Sequence, residues 1–153
     1  MKIRLISDLH LDRYLQYTKK YVLPITPEED TITLLVAGDI TSNKELWEEA
    51  VTNWSTRFLR VIITPGVEDF YDHNIDETIQ WMIATSKTLG NVTILYNTST
   101  AIGDILIFGG TMWTDFDGLN PALMQKAYQL EWDLYRKVYT TESICSIDAI
   151  SGD

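Results

Sequence analysis

Apolar residues in the first two-thirds of the chain come in short runs closed by glycine, proline or aspartate, and between the runs they recur at helical spacing. Residues 2–7 alternate and then run apolar, which predicts a buried strand leading into Asp8. Residues 31–37, Thr-Ile-Thr-Leu-Leu-Val-Ala, predict a second buried strand stopped by Gly38-Asp39. Between them residues 11–30, with Pro24, Pro27 and Glu28-Glu29-Asp30, read as a long, partly exposed connection. Ser42 or Asn43 then caps a helix to about Leu59, in which Leu46, Trp47, Ala50, Val51, Trp54 and Phe58 form one core-facing stripe.

Arg60–Thr64 predicts a third strand, ended by Pro65-Gly66. Asn74 caps a second helix over about 75–89, stopped by Gly90, and 91–96 predicts a fourth strand. Gly103-Asp104 reads as a hairpin turn with Ile105 to Phe108 as its buried arm. Pro121 opens a third helix to about Val138, and the residues from Thr141 to Asp153 form a short helix at most. Strands alternating with helices predict a layered α/β domain with parallel strands, without a boundary over 1–153.

Composition adds to this picture in three ways. With 45% hydrophobic residues, including five Trp and eight Tyr among 153, the chain can bury a real core. The formal charge of -10 disfavours nucleic-acid binding through a basic patch and is compatible with holding cations, docking on basic partners or mimicking a polyanion. A lone Cys145 excludes an internal disulfide or a thiolate cluster within one chain and reads as an idle thiol. No apolar run is long enough for a membrane span and the N-terminus lacks a signal-peptide pattern, so a cytosolic protein without membrane contact is expected.

The candidate chemistry sits where the first two strands end. In an open α/β sheet, ligands bind beyond the carboxyl ends of the strands. Asp8 and His10, two residues apart, project to one side if the chain stays extended, and Asp39 arrives beside them from the next strand. Two carboxylates and an imidazole suit Mn, Fe, Zn or Mg. Gly38 is expected to keep this crevice free of a side chain.

Ser7-Asp8-Leu9-His10-Leu11, Val36-Ala37-Gly38-Asp39-Ile40, Thr64-Pro65-Gly66 with Phe70-Tyr71, and Gly110-Thr111-Met112-Trp113-Thr114-Asp115-Phe116 follow one another in an order that resembles the calcineurin-like metallophosphoesterases. The helix with Trp132-Asp133-Leu134-Tyr135-Arg136 is similar to the helix after that family's Trp-Thr-Asp-Phe stretch, and small bacterial and phage phosphohydrolases are the relatives suggested. The resemblance implies a β-sheet sandwich flanked by helices, of which 1–153 supplies the N-terminal portion. It also implies metal ligation by Asp8, His10 and Asp39. In that family a cation pair orients a bridging hydroxide and neutralises the phosphate.

Two departures set the functional expectation. The third block of the family reads Pro-Gly-Asn-His-Glu, its Asn ligating the second metal and its His polarising the phosphate; here Pro65-Gly66-Val67-Glu68-Asp69 stands instead. Valine cannot coordinate and glutamate repels a phosphodianion, so Glu68 and Asp69 occupy the catalytic-histidine region without supplying its chemistry. Either could serve as an oxygen ligand, whereas His73 reads as a plain exposed loop histidine. The later histidine motifs of the family are absent as well. The expectation is one divalent cation held weakly or none. The chain then reads as a degenerate, inactive domain acting as a protein-binding or inhibitory factor, through a protein partner or by self-association, with a phage-type factor as one particular form. The alternative is a metal-dependent phosphoesterase of phosphomonoesters or phosphodiesters whose site a partner chain completes. Uncovered apolar sheet faces are expected in either case.

Overall fold

The apolar runs become β1 (Lys2–Ile6), β2 (Ile32–Ala37) and β3 (Arg60–Thr64), which lie side by side as parallel strands with β5 (Val92–Ile94) beyond β3. The computed structural model describes residues 1–15, 21–113, 116–130 and 138–139. Register pairs Ile6 with Val36 and Val36 with Ile63, so β1, β2 and β3 end almost level. Everything that follows them arrives at one rim of the sheet.

Two helices close one face. Helix α2 (Lys44–Arg57) starts at Asn43, whose side chain accepts the Leu46 N–H at 3.0 Å. Helix α3 (Ile75–Leu89) starts at Asn74, which accepts from Glu77 N at 3.1 Å, and stops at Gly90 in the positive-φ region where a Cβ is unfavourable. The α2 stripe sinks as the pattern predicts: Trp47, Val51, Trp54 and Phe58 are buried against Leu34, Val36, Val61 and Ile63. Truncating one of those aromatics would cost about 3–5 kcal/mol.

The opposite face is different. Side chains alternate along a strand, so Leu5, Leu35 and Ile62 point away from α2 and α3, toward the antiparallel hairpin of β6 (Thr98–Ile102) and β7 (Ile105–Gly109). The hairpin covers this face only in part. Among the described residues Leu5 is 68% exposed and Phe108 69%, and a groove of about 150 Å³ runs between sheet and hairpin. Ile105 and Leu106 are exposed too, so Ile105 to Phe108 is not the buried arm that its composition suggests. Apolar side chains were placed there by sequence, but no described layer lies over them.

One other expectation gains detail and another changes. The connection over 11–30 contains α1 (Leu11–Leu15) and a 3₁₀ turn (Glu29–Thr31), and Leu23 within it is buried. Glu29 is buried as well, held by Arg4 at 3.2 Å and Arg57 at 2.9 Å and accepting the Thr26 N–H. The third helix is α5 (Pro121–Leu130), after a kinked turn α4 (Phe116–Leu119). Val138 is not its last residue: Val138–Tyr139 forms strand β8, paired in parallel with β4 (His73–Asn74). Residues 131–137 and the expected short helix after Thr141 lie outside the described residues, as does Cys145. No described helix is long and apolar enough to cross a membrane.

Candidate metal centre

The ends of β1 and β2 are tied together before any side chain is considered. Past β1, Asp8 N donates to the Gly38 carbonyl at 3.1 Å, His10 N to the Asp39 carbonyl at 3.0 Å and Leu11 N to the Ile40 carbonyl at 2.9 Å. The two loops run as one double strand of backbone around the rim. Asp8, His10 and Asp39 all have positive φ, at 54°, 44° and 55°. Non-glycine residues rarely adopt this region; Asp, Asn and His do so more readily, and such strain gathers at functional sites. The extended spacing invoked for Asp8 and His10 is therefore not what brings them together: the chain curls at each of them.

The curl gathers the three side chains. One ligand atom from each of Asp8, His10 and Asp39 lies within 4.8 Å of the others, with Asp8 exposed and the other two half-buried. Among the described residues this is the sole such group. The donors are hard to borderline, two carboxylate oxygens and an imidazole nitrogen, and their spacing fits one divalent cation.

The loop after β3 completes the floor. Gly38, at φ 78°, lies against Gly66, where a Cβ on Gly38 would come 2.8 Å from the Gly66 Cα. A Cβ on Gly66 would come 2.2 Å from Asp39 Oδ1. Gly38 thus serves a close approach of backbones below the site; it does not keep a side chain out of the crevice. Asp69 is 1% exposed and takes three amides, from Asp39 (3.0 Å), Thr41 (2.9 Å) and Gly66 (2.8 Å). Burial, helped by the Asp39 charge, pushes its carboxyl up to about 7 against the pull of the Gly66 and Thr41 amides.

Val67 and Glu68 diverge from here. Val67 packs on the second apolar cluster, around Phe70, Ile75 and Ile79, and offers no donor to the rim. Glu68 turns to the site: its Oε2 lies 2.8 Å from His10 Nδ1, and Arg13 Nη2 lies 2.9 Å from both of its oxygens. Its own N–H donates to Asp39 Oδ1 at 2.9 Å. The Asp39 carboxyl is raised above its ordinary range, chiefly by burial; the Glu68 amide opposes this, the Glu68 charge adds to it, His10 lowers it and Asp8 raises it. Glu68 and Asp69 are outside the group of Asp8, His10 and Asp39: Glu68 pairs with Arg13 and meets His10, and Asp69 is a buried anchor for backbone amides. His73 is no exposed loop residue: it is half-buried in β4, with Nε2 2.9 Å from the Ser42 carbonyl oxygen.

The fourth stretch meets the same rim. Thr111 Oγ1 donates to the Pro65 carbonyl at 2.6 Å, and the Trp113 ring lies 6.4 Å from that of Phe70. Thr114 and Asp115 lie outside the described residues.

This arrangement of loops has a counterpart in sequence. The calcineurin-like phosphoesterase model matches residues 1–144. The chain belongs to the calcineurin-like phosphoesterase family. No curated protein matches it. Among solved structures it is similar to a phosphopantetheinyl hydrolase from Mycobacterium tuberculosis, with a TM-score of 0.62 and 17% identity, over 85% of this chain and 51% of that one. That identity supports a shared fold, and the chain spans about half the length of that hydrolase. The family is divalent-metal dependent, the neighbour is by its name a hydrolase, and the Asp8–His10–Asp39 trio is a possible metal-binding group of this phosphoesterase domain.

Proposed function

We propose that this phosphoesterase domain binds a single divalent cation through Asp8, His10 and Asp39 and does not turn over phosphate esters. The observation that carries the reading is the Glu68 carboxylate, 2.8 Å from His10 Nδ1, in the block where the resemblance to the family implies a phosphate-polarising histidine. A bound cation supplies Lewis acidity and charge neutralisation at that rim. Beside it, however, the chain presents a fixed anion where an incoming phosphate needs a donor, and Val67, packed against the second apolar cluster, has no ligating atom in its side chain.

What remains for the domain to act through is its surface. The exposed apolar residues Leu5, Leu106 and Phe108, of which Leu5 and Phe108 line the groove under the hairpin, are the surface feature that supports a contact with another protein. These features together support a role as a binding or inhibitory factor.

The second reading, a metal-dependent phosphoesterase completed by a partner chain, has the intact trio in its favour. Hydrolysis of an aryl phosphomonoester and an aryl phosphodiester in Mn²⁺, by the wild type and Asp39→Ala, tests the proposal against completion of the site by a second copy of the chain. The proposal expects no turnover from either protein. Metal-dependent turnover abolished by Asp39→Ala would establish the second reading.

A further inference from the structure

Glu68 does more at this rim than exclude phosphate. An ionised carboxylate has no proton to give, so the 2.8 Å contact with a neutral His10 requires Nδ1–H as donor. That leaves the lone pair on Nε2 as the His10 ligand. We propose that Glu68 is a positioning residue for the cation, fixing the His10 tautomer and ring so that Nε2 serves the site formed with Asp8 and Asp39. The inference rests on the cation-binding reading of that trio.

Three features support it. Metal-binding histidines almost always give their second ring N–H to an outer carboxylate, carbonyl or water, and loss of that partner typically costs 10–100-fold in affinity. Glu68 is itself held: Arg13 grips both oxygens at 2.9 Å, and the Glu68 backbone N–H is fixed on Asp39 Oδ1. Arg13 also offsets the charge of a third carboxylate placed beside Asp8 and Asp39. One residue thus touches two of the three ligands, His10 through its side chain and Asp39 through its backbone.

The chain supplies an internal reference, because it has two histidines and the structure assigns them opposite tautomers. A carbonyl oxygen only accepts, so His73 must donate from Nε2 to Ser42. Long-range proton–nitrogen NMR of the ion-free full chain, at about pH 8.5 where an ordinary imidazole is neutral, reads both rings; His73→Gln makes the assignment. The expected result is Nδ1–H for His10 and Nε2–H for His73. Glu68→Ala is expected to move His10 toward the Nε2–H form and to weaken Mn²⁺ binding in calorimetry about 10–100-fold. Glu68→Gln, which keeps an acceptor oxygen, is expected to restore the tautomer and part of the affinity. A wild-type His10 carrying its proton on Nε2, or a Glu68→Ala chain binding Mn²⁺ as tightly as wild type, overturns the inference. A wild type that binds no Mn²⁺ overturns the cation reading instead, while the tautomer spectrum still decides the Glu68–His10 bond.

Discussion

The buried carboxylate of Asp69 accepts the backbone N–H of Asp39 at 3.0 Å, a bond across 30 residues of sequence that ties the loop after β3 to the loop after β2. Asp69 holds Thr41 and Gly66 in the same way. The position of the Asp39 side chain at the rim is therefore set from below.

Removing this anchor unpairs three amides, each worth about 1–3 kcal/mol when left buried without a partner. Asp69→Ala is expected to lose at least about 3 kcal/mol in urea denaturation. The carboxyl, raised to about 7 by burial, keeps a proton in the folded chain that the unfolded chain has released above about pH 4. Its contribution is fully present below that pH and is lost as pH rises through about 7. Wild-type stability should fall across that interval, and Asp69→Asn should flatten the fall.

Glu29 gives the opposite limb. Hydrogen bonding by Arg57 outweighs burial and lowers its pKa to about 2, so its stabilisation is present above about pH 4.5 and is lost as pH falls toward 2. Glu29→Gln leaves Arg57 and Arg4 without their anion and is expected to cost about 3 kcal/mol near neutral pH. The variant's stability should also be less sensitive to acid.

Alanine at three glycines separates backbone strain from steric conflict. Gly90 has φ 78° with nothing near its missing Cβ, so Gly90→Ala should cost about 1–2 kcal/mol. Gly66→Ala drives a Cβ into Asp39, and Gly38→Ala combines positive φ with a backbone clash. Both should exceed the Gly90 loss in thermal denaturation, and Gly66→Ala should also abolish Mn²⁺ binding.

The two faces of β1 and β2 predict different outcomes. Leu34 is fully buried under α2, and Leu34→Ala is expected to cost about 2–5 kcal/mol. Leu5 stands on the open face, so Leu5→Lys should change stability by no more than about 0.5 kcal/mol. If that face is a contact surface, Leu5→Lys should weaken association measured by sedimentation. Unchanged sedimentation together with a large loss of stability would assign Leu5 to the core.

The strands, both Asn caps and the α2 stripe were legible because each depends on local pattern: an apolar run, a side chain that reaches its own helix, a 3.6-residue period. Asp8, His10 and Asp39 were legible because they end those runs. Their curled backbone was not, since positive φ at three non-glycine residues is imposed by hydrogen bonds between loops distant in sequence. The Asp69 and Glu68 roles depend on partners some 30 to 58 residues away. A weak local signal for Asp69 existed: a carboxylate three residues past Gly66 is placed to accept that turn's free N–H. Ile105 to Phe108 was misread because its composition requires a cover that no described element provides.

Isothermal calorimetry of the full chain with Mn²⁺ tests the central claim most directly. The account predicts one ion per chain for wild type and none for Asp39→Ala, with the folded state of the variant confirmed by its circular dichroism. Two ions per wild-type chain, or binding that survives Asp39→Ala, would contradict it.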